Sequence, residues 1–335
     1  MNVVLTGGAG FLGAQVAREL LDAGTLCDSS GVQRTLRTLT MVDLVAPKQT
    51  WASDPRVRVV IGDIADDDLI RKVITADCDS VFHFAAILKA DADRDTRAAV
   101  RFNVLGLVSL LEHCRNLGRP PKFFFASSSG VYENGIGIVG DETRHLPTST
   151  YGAHKAIGEV LVNDFTRTGA IDGRGLRFPV VMVRPNRKDT AVSNSISAIV
   201  RDPLLGLDFV CPFDPTLRMP VTSVENAAKA TRLMHDLPAE RFTHGRTVNL
   251  PSLAVTIGEI AEAVTRRGAQ RHVGHISWKH EAAAMRMFAG RPQGIDGTWA
   301  TMHGISHDRD IDAIIDNFLA SAPAPAAAGS GSAAR

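Results

Sequence analysis

Short apolar segments alternate with longer amphipathic ones along most of the chain. An apolar run of four to eight residues is typical of a buried strand, and an apolar stripe with a period of 3.6 residues is typical of a helix. The runs that predict strands are residues 2–5, 39–45, 57–61, 80–84, 122–126, 175–183 and 246–251. The segments that predict helices are residues 11–21, 66–75, 93–117, 149–167, 223–230, 256–266 and 311–320, while residues 276–302 are helical and then turn-rich. The alternation predicts an α/β fold with a doubly wound parallel sheet.

A glycine-rich turn, residues 6–13 (TGGAGFLG), joins the first predicted strand to the first predicted helix. Gly8, Gly10 and Gly13 have the G-x-G-x-x-G spacing, and Gly7 adds a G-x-x-G-x-x-G pattern. Such glycines allow a tight turn and close approach of the backbone to a pyrophosphate at the helix N-terminus. The alternative is an ordinary glycine turn, but the strand before it and the helix after it favour a Rossmann-like dinucleotide site.

Two aspartates follow predicted strands of this unit. Asp43 stands at the carboxyl end of the second strand of the sheet, where a carboxylate accepts hydrogen bonds from the adenosine ribose and repels a 2′-phosphate. The polar insertion of residues 22–38 accounts for its distance from the glycines, and a solvated turn aspartate is the alternative. Asp63 follows the third strand, where local chemistry favours a cap for the next helix over a contact with adenine.

Hydroxyl, phenol and amine groups gather at the predicted carboxyl edge of the sheet. Residues 127–129 are three serines at the end of the fifth strand. Tyr151 and Lys155 are four residues apart, so they project from one helical face. Tyr-x-x-x-Lys is weak evidence alone and can be a solvated pair. After a serine-bearing strand of a dinucleotide fold, it predicts a catalytic site on the face where such sheets bind ligands.

Other polar residues have structural alternatives. His83 is expected to be a satisfied core histidine, and Asn103 lies among apolar neighbours, where its amide needs a partner. The basic turn of residues 184–188 leaves the same sheet edge as Tyr151 and could reach an anionic substrate, although most basic turns are solvated. The polar run of residues 303–308 is more typical of a solvated loop than of a metal site.

Composition limits the partners. With 37 Lys and Arg against 36 Asp and Glu, the net charge of +1 gives no reason to expect nucleic acid or an anionic membrane. No apolar run approaches the roughly 20 residues of a membrane span, and a first strand beginning at Asn2 argues against a signal peptide. The four scattered cysteines predict reduced thiols in a cytoplasmic protein.

The motifs occur together in the order typical of one family. The glycine turn, Asp43, residues 62–64 (GDI), residues 83–86 (HFAA), Asn103, the three serines and Tyr151 to Lys155 resemble the extended short-chain dehydrogenase/reductases over residues 1–320. Within that family, residues 42–47, 54–57, 151–159 and 183–185 look most like the D-erythronate dehydrogenases.

The resemblance implies roles for individual residues. It implies that Ser128, Tyr151 and Lys155 are catalytic and that Asn103 supports the lysine. It implies that NAD is the cofactor and that Asp63 contacts adenine, which overrules the cap. The residues implied to face NAD are Gly7, Gly10, Phe11, Leu12, Asp43, Asp63, Ile64, Ala85, Ala86, Asn103, Tyr151, Lys155 and Pro179. The candidate substrate residues are Ser128, Ser129, Tyr151, Arg184, Arg187, Asn194 and Arg218.

The same resemblance implies how the chain is organised. It implies an NAD-binding domain of residues 1–185, with 213–250 returning to it, and a smaller substrate-binding subdomain of residues 186–212 and 251–320. The family often forms homodimers through the helices that carry Asn103 and Tyr151. Residues 321–335 are of low complexity and are expected to be disordered.

Departures from the family pattern narrow the function. Ser129 and Gly130 replace the Asp-Glu pair of sugar dehydratases, and residues 185–188 and 224–226 differ from the nucleotide-sugar epimerase motifs. The first hypothesis is therefore NAD-dependent oxidation of a secondary hydroxyl of a small sugar acid, D-erythronate to a 2-oxo-tetronate. The alternatives are a sugar or nucleotide-sugar epimerase and a catalytically silent dinucleotide-binding protein.

Overall fold

A computed structural model describes residues 1–132, 137–187, 192–243, 245–288 and 291–321. The strands are β1 (Asn2–Thr6), β2 (Thr25–Cys27), β3 (Gln33–Thr35), β4 (Thr38–Asp43), β5 (Val57–Ile61), β6 (Ser80–His83), β7 (Lys122–Ser128), β8 (Ile138–Val139), β9 (Asp172–Phe178), β10 (Val180–Met182), β11 (Phe209–Cys211), β12 (Arg218–Ser223), β13 (Thr247–Asn249), β14 (Leu253–Thr256), β15 (Ile276–Trp278) and β16 (Gly294–Ile295). The helices are α1 (Phe11–Ala23), α2 (Asp67–Val73), α3 (Lys89–Arg94), α4 (Thr96–Val100), α5 (Gly106–Arg115), α6 (Thr150–Arg167), α7 (Val192–Leu204), α8 (Val224–Asp236), α9 (Ile257–Gly268), α10 (Ala282–Phe288), α11 (Thr298–Met302) and α12 (Ile311–Ser321).

Seven parallel strands form the central sheet in the order β13-β9-β7-β6-β1-β4-β5. Neighbouring residues of each strand point to opposite faces, so Leu5 and Phe124 pack with α1 and α8, whereas Val4 and Phe123 pack with α2, α5 and α6. Both faces are buried except at the edge strand β5, whose residues are exposed or half-buried, which explains why the inner strands are continuous apolar runs. The predicted doubly wound fold is confirmed.

The predicted long helix of residues 93–117 is divided. Asp95 accepts a hydrogen bond from the Ala98 N–H and begins α4, and a π-helical turn at Arg101–Leu105 separates α4 from α5. Insertion of one residue into the helical repeat is the usual origin of such a turn, and it often occurs at functional sites. Here it contains the buried Asn103.

The predicted strand of residues 175–183 is divided by Pro179, which lacks the N–H that a ladder needs. Strand β9 belongs to the large sheet, whereas β10 crosses to a three-stranded sheet, β10-β12-β14. A second core surrounds that sheet and includes apolar side chains of α7, α9 and α12. We propose that this second core is the substrate-binding subdomain.

The sequence between residues 212 and 250 is shared between the two sheets. Strand β12 pairs with β10 and β14, but α8 packs on α1 and β13 joins the large sheet. Arg218, predicted in a turn, is the first residue of β12.

The structure also decides several smaller points of the sequence analysis. Part of the polar insertion forms the β2–β3 hairpin. Asp308 is buried rather than solvated, because its carboxylate accepts hydrogen bonds from the Thr222 and Ser223 hydroxyls and the Ser223 N–H. The four cysteines are free thiols. Among the described residues, none of the helices combines the length and the apolar character of a membrane span. The tail that is predicted to be disordered lies outside the described residues from residue 322 onward.

Candidate active site

A cavity of about 410 Å³ opens at the carboxyl edge of the central sheet. It lies where ligands of open α/β sheets bind, at the ends of β1, β4, β6 and β7. The predicted site residues that line it are Gly7, Gly10, Phe11, Leu12, Asp43, Ile64, Ala85, Ala86, Ser128, Ser129, Tyr151, Lys155, Pro179 and Arg184. The predicted residues outside its lining are Asp63, Asn103, Arg187, Asn194 and Arg218.

The glycine turn fits a dinucleotide pyrophosphate. Gly7 has φ +75°, and a Cβ atom there would lie 2.5 Å from the Ala85 backbone nitrogen, so only glycine fits between β1 and β6. Helix α1 begins after Gly10, and no side chain caps its first N–H groups. Uncapped N–H groups and the positive end of the helix dipole favour an anion at this point.

Asp43 is held in place at the end of β4. Its Oδ2 accepts the Ala9 N–H at 2.9 Å, and its Oδ1 lies 3.3 Å from the Val45 nitrogen. The carboxylate is half-buried at the cavity wall, beside the exposed side chains of Leu44 and Val45. A fixed carboxylate next to an exposed apolar patch suits the ribose and adenine of NAD.

Asp63 has a local role. Its Oδ1 accepts the Ala65 N–H at 2.8 Å and its Oδ2 lies 3.4 Å from Arg101, while Asp66 is the residue that caps α2. The helix cap expected from local chemistry is therefore wrong for Asp63, whereas its side-chain contact with adenine stays a prediction. The neighbours of Asp63, Gly62 and Ile64, line the cavity instead.

Ser128 and Tyr151 meet at the cavity wall. The Ser149 hydroxyl accepts the Gly152 N–H at 3.1 Å and so starts α6, which places Tyr151 in its first turn. A Cβ atom at Gly152 would lie 2.2 Å from the Gly130 carbonyl oxygen, so glycine lets α6 approach the end of β7 closely. The Ser128 hydroxyl is hydrogen-bonded to the Tyr151 phenol, and its Oγ accepts the Gly130 N–H at 3.1 Å. The predicted pair is therefore assembled.

Lys155 is buried beneath that pair. Its Nζ donates to the Ala126 carbonyl oxygen at 2.6 Å and lies 4.8 Å from the centre of the Phe125 ring and 5.6 Å from that of Tyr151. Burial lowers the pKa of Lys155 to about 7, and the charge of Glu159 opposes that change. A small increase in polarity around the amine would therefore alter its charge at neutral pH.

The Tyr151 phenol is harder to ionise in the folded protein than in a free tyrosine. Burial raises the pKa of Tyr151 to about 12. The hydrogen bond from Ser128 and the positive charges of Arg184 and Arg291 oppose that rise, whereas Lys155 is directed toward the Ala126 carbonyl. Two arginines that line the cavity thus contribute positive charge that favours the phenolate.

Asn103 does not contact Lys155 directly. Its Oδ1 accepts the Ile87 N–H at 2.8 Å, its Nδ2 donates to the Ile87 carbonyl oxygen at 3.0 Å, and the same Nδ2 lies 3.4 Å from His154 Nδ1. These bonds do not reach Lys155, so the support of the lysine by Asn103 stays a prediction. Because Ile87 follows the cavity-lining alanines, the amide instead fixes the chain that leaves β6.

The predicted substrate arginines separate into two groups. Arg184 lines the cavity, where its Nε donates to Ser193 at 2.7 Å and its guanidinium lies 4.7 Å from the Phe11 ring centre. Arg187 lies 3.2 Å from Asp202, and Arg218 donates to the Ala254 carbonyl oxygen at 2.7 Å, away from the cavity. Both side chains have partners outside the cavity lining, so the structure does not bring these two residues to the cavity, and their substrate contacts stay predictions.

Asn194 is also structural. This side chain is buried, its Oδ1 accepts Arg201 Nη1 at 2.7 Å, and its Nδ2 donates to the Arg187 carbonyl oxygen at 3.2 Å. It joins α7 to the preceding loop and does not line the cavity. The substrate contact of Asn194 therefore also stays a prediction.

Sequence reasoning missed Arg291, which lines the cavity 5.3 Å from the Phe288 ring centre. The parallel pairing of β16 with β8 holds the chain just beyond it, and the Gln293 N–H donates to the Gly137 carbonyl oxygen at 2.8 Å. No local pattern distinguishes Arg291 from other arginines, since this pairing joins segments far apart in sequence.

The cavity has an uneven distribution of charge. Lys89, Lys155, Arg184 and Arg291 line it, and Asp43 is the one carboxylate in its lining among the residues that the structure describes. Within those same residues, no group of three His, Cys, Asp or Glu side chains could hold a metal ion. The end of the cavity near Tyr151 is therefore suited to an anion.

Comparisons with known proteins agree with this chemistry. The model of the NAD dependent epimerase/dehydratase family matches residues 3–250. A D-erythronate dehydrogenase from Cupriavidus necator is 38% identical, covering 95% of this chain and 98% of its own length, and one from Haemophilus influenzae is 32% identical, covering 95% and 99%. The crystal structure of a nucleoside-diphosphate-sugar epimerase from Agrobacterium tumefaciens superposes with a TM-score of 0.88 at 27% identity, covering 96% of this chain and 94% of that one. The chain therefore belongs to the NAD dependent epimerase/dehydratase family, the extended short-chain dehydrogenase/reductases, whose cofactor is NAD.

Proposed function

We propose that the protein oxidises a secondary hydroxyl of a small sugar acid with NAD, and that D-erythronate is the substrate. The observation that carries the proposal is the hydrogen-bonded Ser128–Tyr151 pair in a cavity whose nearby charged side chains are cationic. Two D-erythronate dehydrogenases similar to this chain over 95% of its length support the choice of acid.

The proton-transfer steps follow from the positions of the side chains. NAD, when bound, supplies the hydride acceptor. Ser128 holds the substrate hydroxyl at the cavity wall, and Tyr151 accepts the proton of that hydroxyl. The Lys155 ammonium, fixed on the Ala126 carbonyl, adds positive charge beneath the phenol and stabilises its ionised form.

Arg184 and Arg291 are the proposed carboxylate ligands. Both line the cavity, and both lower the pKa of Tyr151, so their charges act at the reacting group. A guanidinium offers a carboxylate two parallel hydrogen bonds, which fixes the orientation of a short acid as well as binding it.

The direct test mixes the purified protein with NAD and follows the absorbance of NADH. The panel contains D-erythronate, other aldonic and uronic acids, the uncharged polyol erythritol, sugars and nucleotide sugars. We expect NADH to form most rapidly with a four-carbon acid. An epimerase, which the likeness to the Agrobacterium protein makes the second candidate, would convert a sugar without net NADH. Silence across the panel would favour the binding-protein alternative.

Replacing Arg291 with glutamine is expected to lower kcat/KM for the acid about 10- to 100-fold, because a charge-assisted hydrogen bond contributes about 1.5–3 kcal/mol. The same change should slow the oxidation of erythritol much less, since the polyol has no carboxylate and loses only the effect of the arginine charge on Tyr151. Arg184→Gln should act in the same direction. The measurement is the ratio of kcat/KM values for acid and polyol.

Arg218→Gln is the matched control, because Arg218 is an exposed arginine outside the cavity. It should leave the ratio unchanged. Unchanged acid preference in both cavity variants would refute recognition of the carboxylate by these arginines.

We also propose that the protein works in the cytoplasm as a homodimer that pairs the helices around Asn103 and Tyr151. Apolar side chains on these helices are exposed: Leu105 at 57%, Ile157 at 44% and Val160 at 66%. An apolar face of this kind is typical of a self-complementary helical interface.

Val160→Glu is expected to convert the dimer into a monomer, because the symmetric interface would bring two buried carboxylates together. Light scattering after size-exclusion chromatography measures the mass. Met302→Glu is the control, since Met302 is 71% exposed on α11. If Val160→Glu remains a dimer, this face is not the dimer interface.

A further inference from the structure

A buried ion pair lies beneath Ser128, Tyr151 and Lys155, outside the cavity lining. Glu159 is 3% exposed and follows Lys155 by one turn of α6, so both side chains are on the same helical face. Its carboxylate accepts Arg177 Nε at 3.0 and 3.1 Å and Arg177 Nη2 at 2.8 Å. Arg177, in β9, is 6% exposed. A buried charge requires such pairing, because an unpaired one would be strongly destabilising.

The same carboxylate fixes the end of β7. Ser127 donates its hydroxyl to Glu159 Oε1 at 2.5 Å, and Lys155 donates to the Ala126 carbonyl oxygen at 2.6 Å. The two residues that precede Ser128 are thus both bonded to α6, the helix that carries Tyr151. The relative position of Ser128 and Tyr151 depends on these two bonds.

Glu159 also acts on the charge of Lys155. Burial lowers the pKa of this lysine, and Glu159 is the group whose charge opposes it. His83, fully buried on β6, is neutral because burial and Lys155 lower its pKa to about 3, and the pKa of His154 is also lowered. The Phe125 and Tyr151 rings also lie close to the ammonium. On the other side of the carboxylate, His145 Nε2 lies 3.7 Å from Glu159, and burial lowers the pKa of this histidine.

We propose that Glu159 is a positioning residue for the oxidation: it fixes the strand end beneath Ser128 and keeps the Lys155 ammonium charged at working pH. Arg177 is its counter-ion, and it connects the pair to β9 and to the Tyr132 hydroxyl at 2.8 Å. The inference rests on the proposed function, because it assumes that Lys155 assists Tyr151.

Glu159→Gln tests the charge at nearly constant shape. Without the carboxylate, and with Arg177 still present, the pKa of Lys155 should fall further. We expect the alkaline limb of the kcat profile between pH 6 and 10 to move down by at least one pH unit, while the Kd for NAD stays within threefold.

A second readout needs no substrate. In the apoprotein, the charge of the lysine is reported by the difference in unfolding free energy between a protein with Lys155 and the same protein with Lys155→Met. Urea unfolding from pH 5 to 10 is therefore measured for Glu159→Gln with and without Lys155→Met. The pH at which this difference begins to change should fall by about one unit. If the apoprotein shows the shift but no substrate of the panel reacts, the proposed function fails and the role in charging Lys155 stands.

Ser127→Ala is the matched control, because it removes one hydrogen bond and keeps the carboxylate. It should lower kcat without moving the alkaline limb. If Glu159→Gln does not fold, the double variant Glu159→Gln/Arg177→Met removes both charges and should shift the limb and the apoprotein curve in the same direction. A folded single or double variant with wild-type pH dependence in both readouts would overturn the proposal.

Discussion

Replacing Tyr151 with phenylalanine is expected to lower kcat for oxidation of the sugar acid about 1,000-fold, within the range of general acid–base catalysis. The phenol is hydrogen-bonded to Ser128 at the cavity wall, and no other described side chain in the lining offers an equivalent acidic hydroxyl. The ring itself is retained, so the Kd for NAD should stay within about threefold. Steady-state NADH formation measures kcat, and fluorescence titration with NAD measures the Kd.

Tyr132→Phe is the matched control, since these are the two tyrosines of the chain. Tyr132 donates to Asn249 Oδ1 at 2.8 Å and accepts from Arg177, so its loss should cost about 1–3 kcal/mol of unfolding free energy. Its effect on kcat should be less than tenfold. Turnover by Tyr151→Phe within tenfold of wild type would contradict the assignment of the acid–base group.

Lys155→Met should abolish most turnover and at the same time stabilise the apoprotein below pH 7. The buried ammonium has a pKa lowered from 10.5 to about 7, which corresponds to a cost on the order of 5 kcal/mol. Methionine avoids that cost but leaves the Ala126 carbonyl unpaired, which costs about 1–3 kcal/mol. A net gain of about 2–4 kcal/mol is therefore expected at pH 6, with kcat reduced at least 100-fold.

The sign of the pH dependence follows from linkage. Below pH 7 the lysine is charged in both the folded and unfolded states, so the full free-energy cost of burying the ammonium is present. Between pH 7 and 10.5 the unfolded state binds the additional proton, so the wild-type protein gains stability as the pH rises. The advantage of the methionine variant should disappear across that interval.

Urea unfolding at pH 6 and pH 9 measures the difference in unfolding free energy between Lys155→Met and the wild type at each pH, and far-UV circular dichroism verifies the fold. Lys122 also has a pKa lowered by burial, to about 8, so Lys122→Met serves as a control in which stability changes without loss of chemistry. A methionine variant at position 155 that is less stable than wild type at pH 6 would show that burial does not penalise this ammonium.

Long-range pairing explains which side chains sequence reasoning could not place. Arg218 and Arg187 are as basic as Arg291, but Ala254 and Asp202 engage the first two while β8–β16 pairing places the third in the cavity. Asp308 is a second case, because its partners Thr222 and Ser223 are more than 80 residues away in sequence. Local pattern contains no information about such partners.

The sequence by itself determined the features that depend on near neighbours along the chain. The glycine turn, Asp43 at a strand end, and the spacing of Tyr151 and Lys155 follow from strand and helix periods and from the backbone freedom of glycine. Together they predicted the doubly wound sheet, the NAD site and the catalytic group. Only the tertiary structure decided which arginines line the cavity, that Asn103 bonds to Ile87, and that Glu159 pairs with Arg177 beside Ser127 and Lys155. Those arrangements depend on burial and on contacts between distant segments, which exist only once the chain is folded.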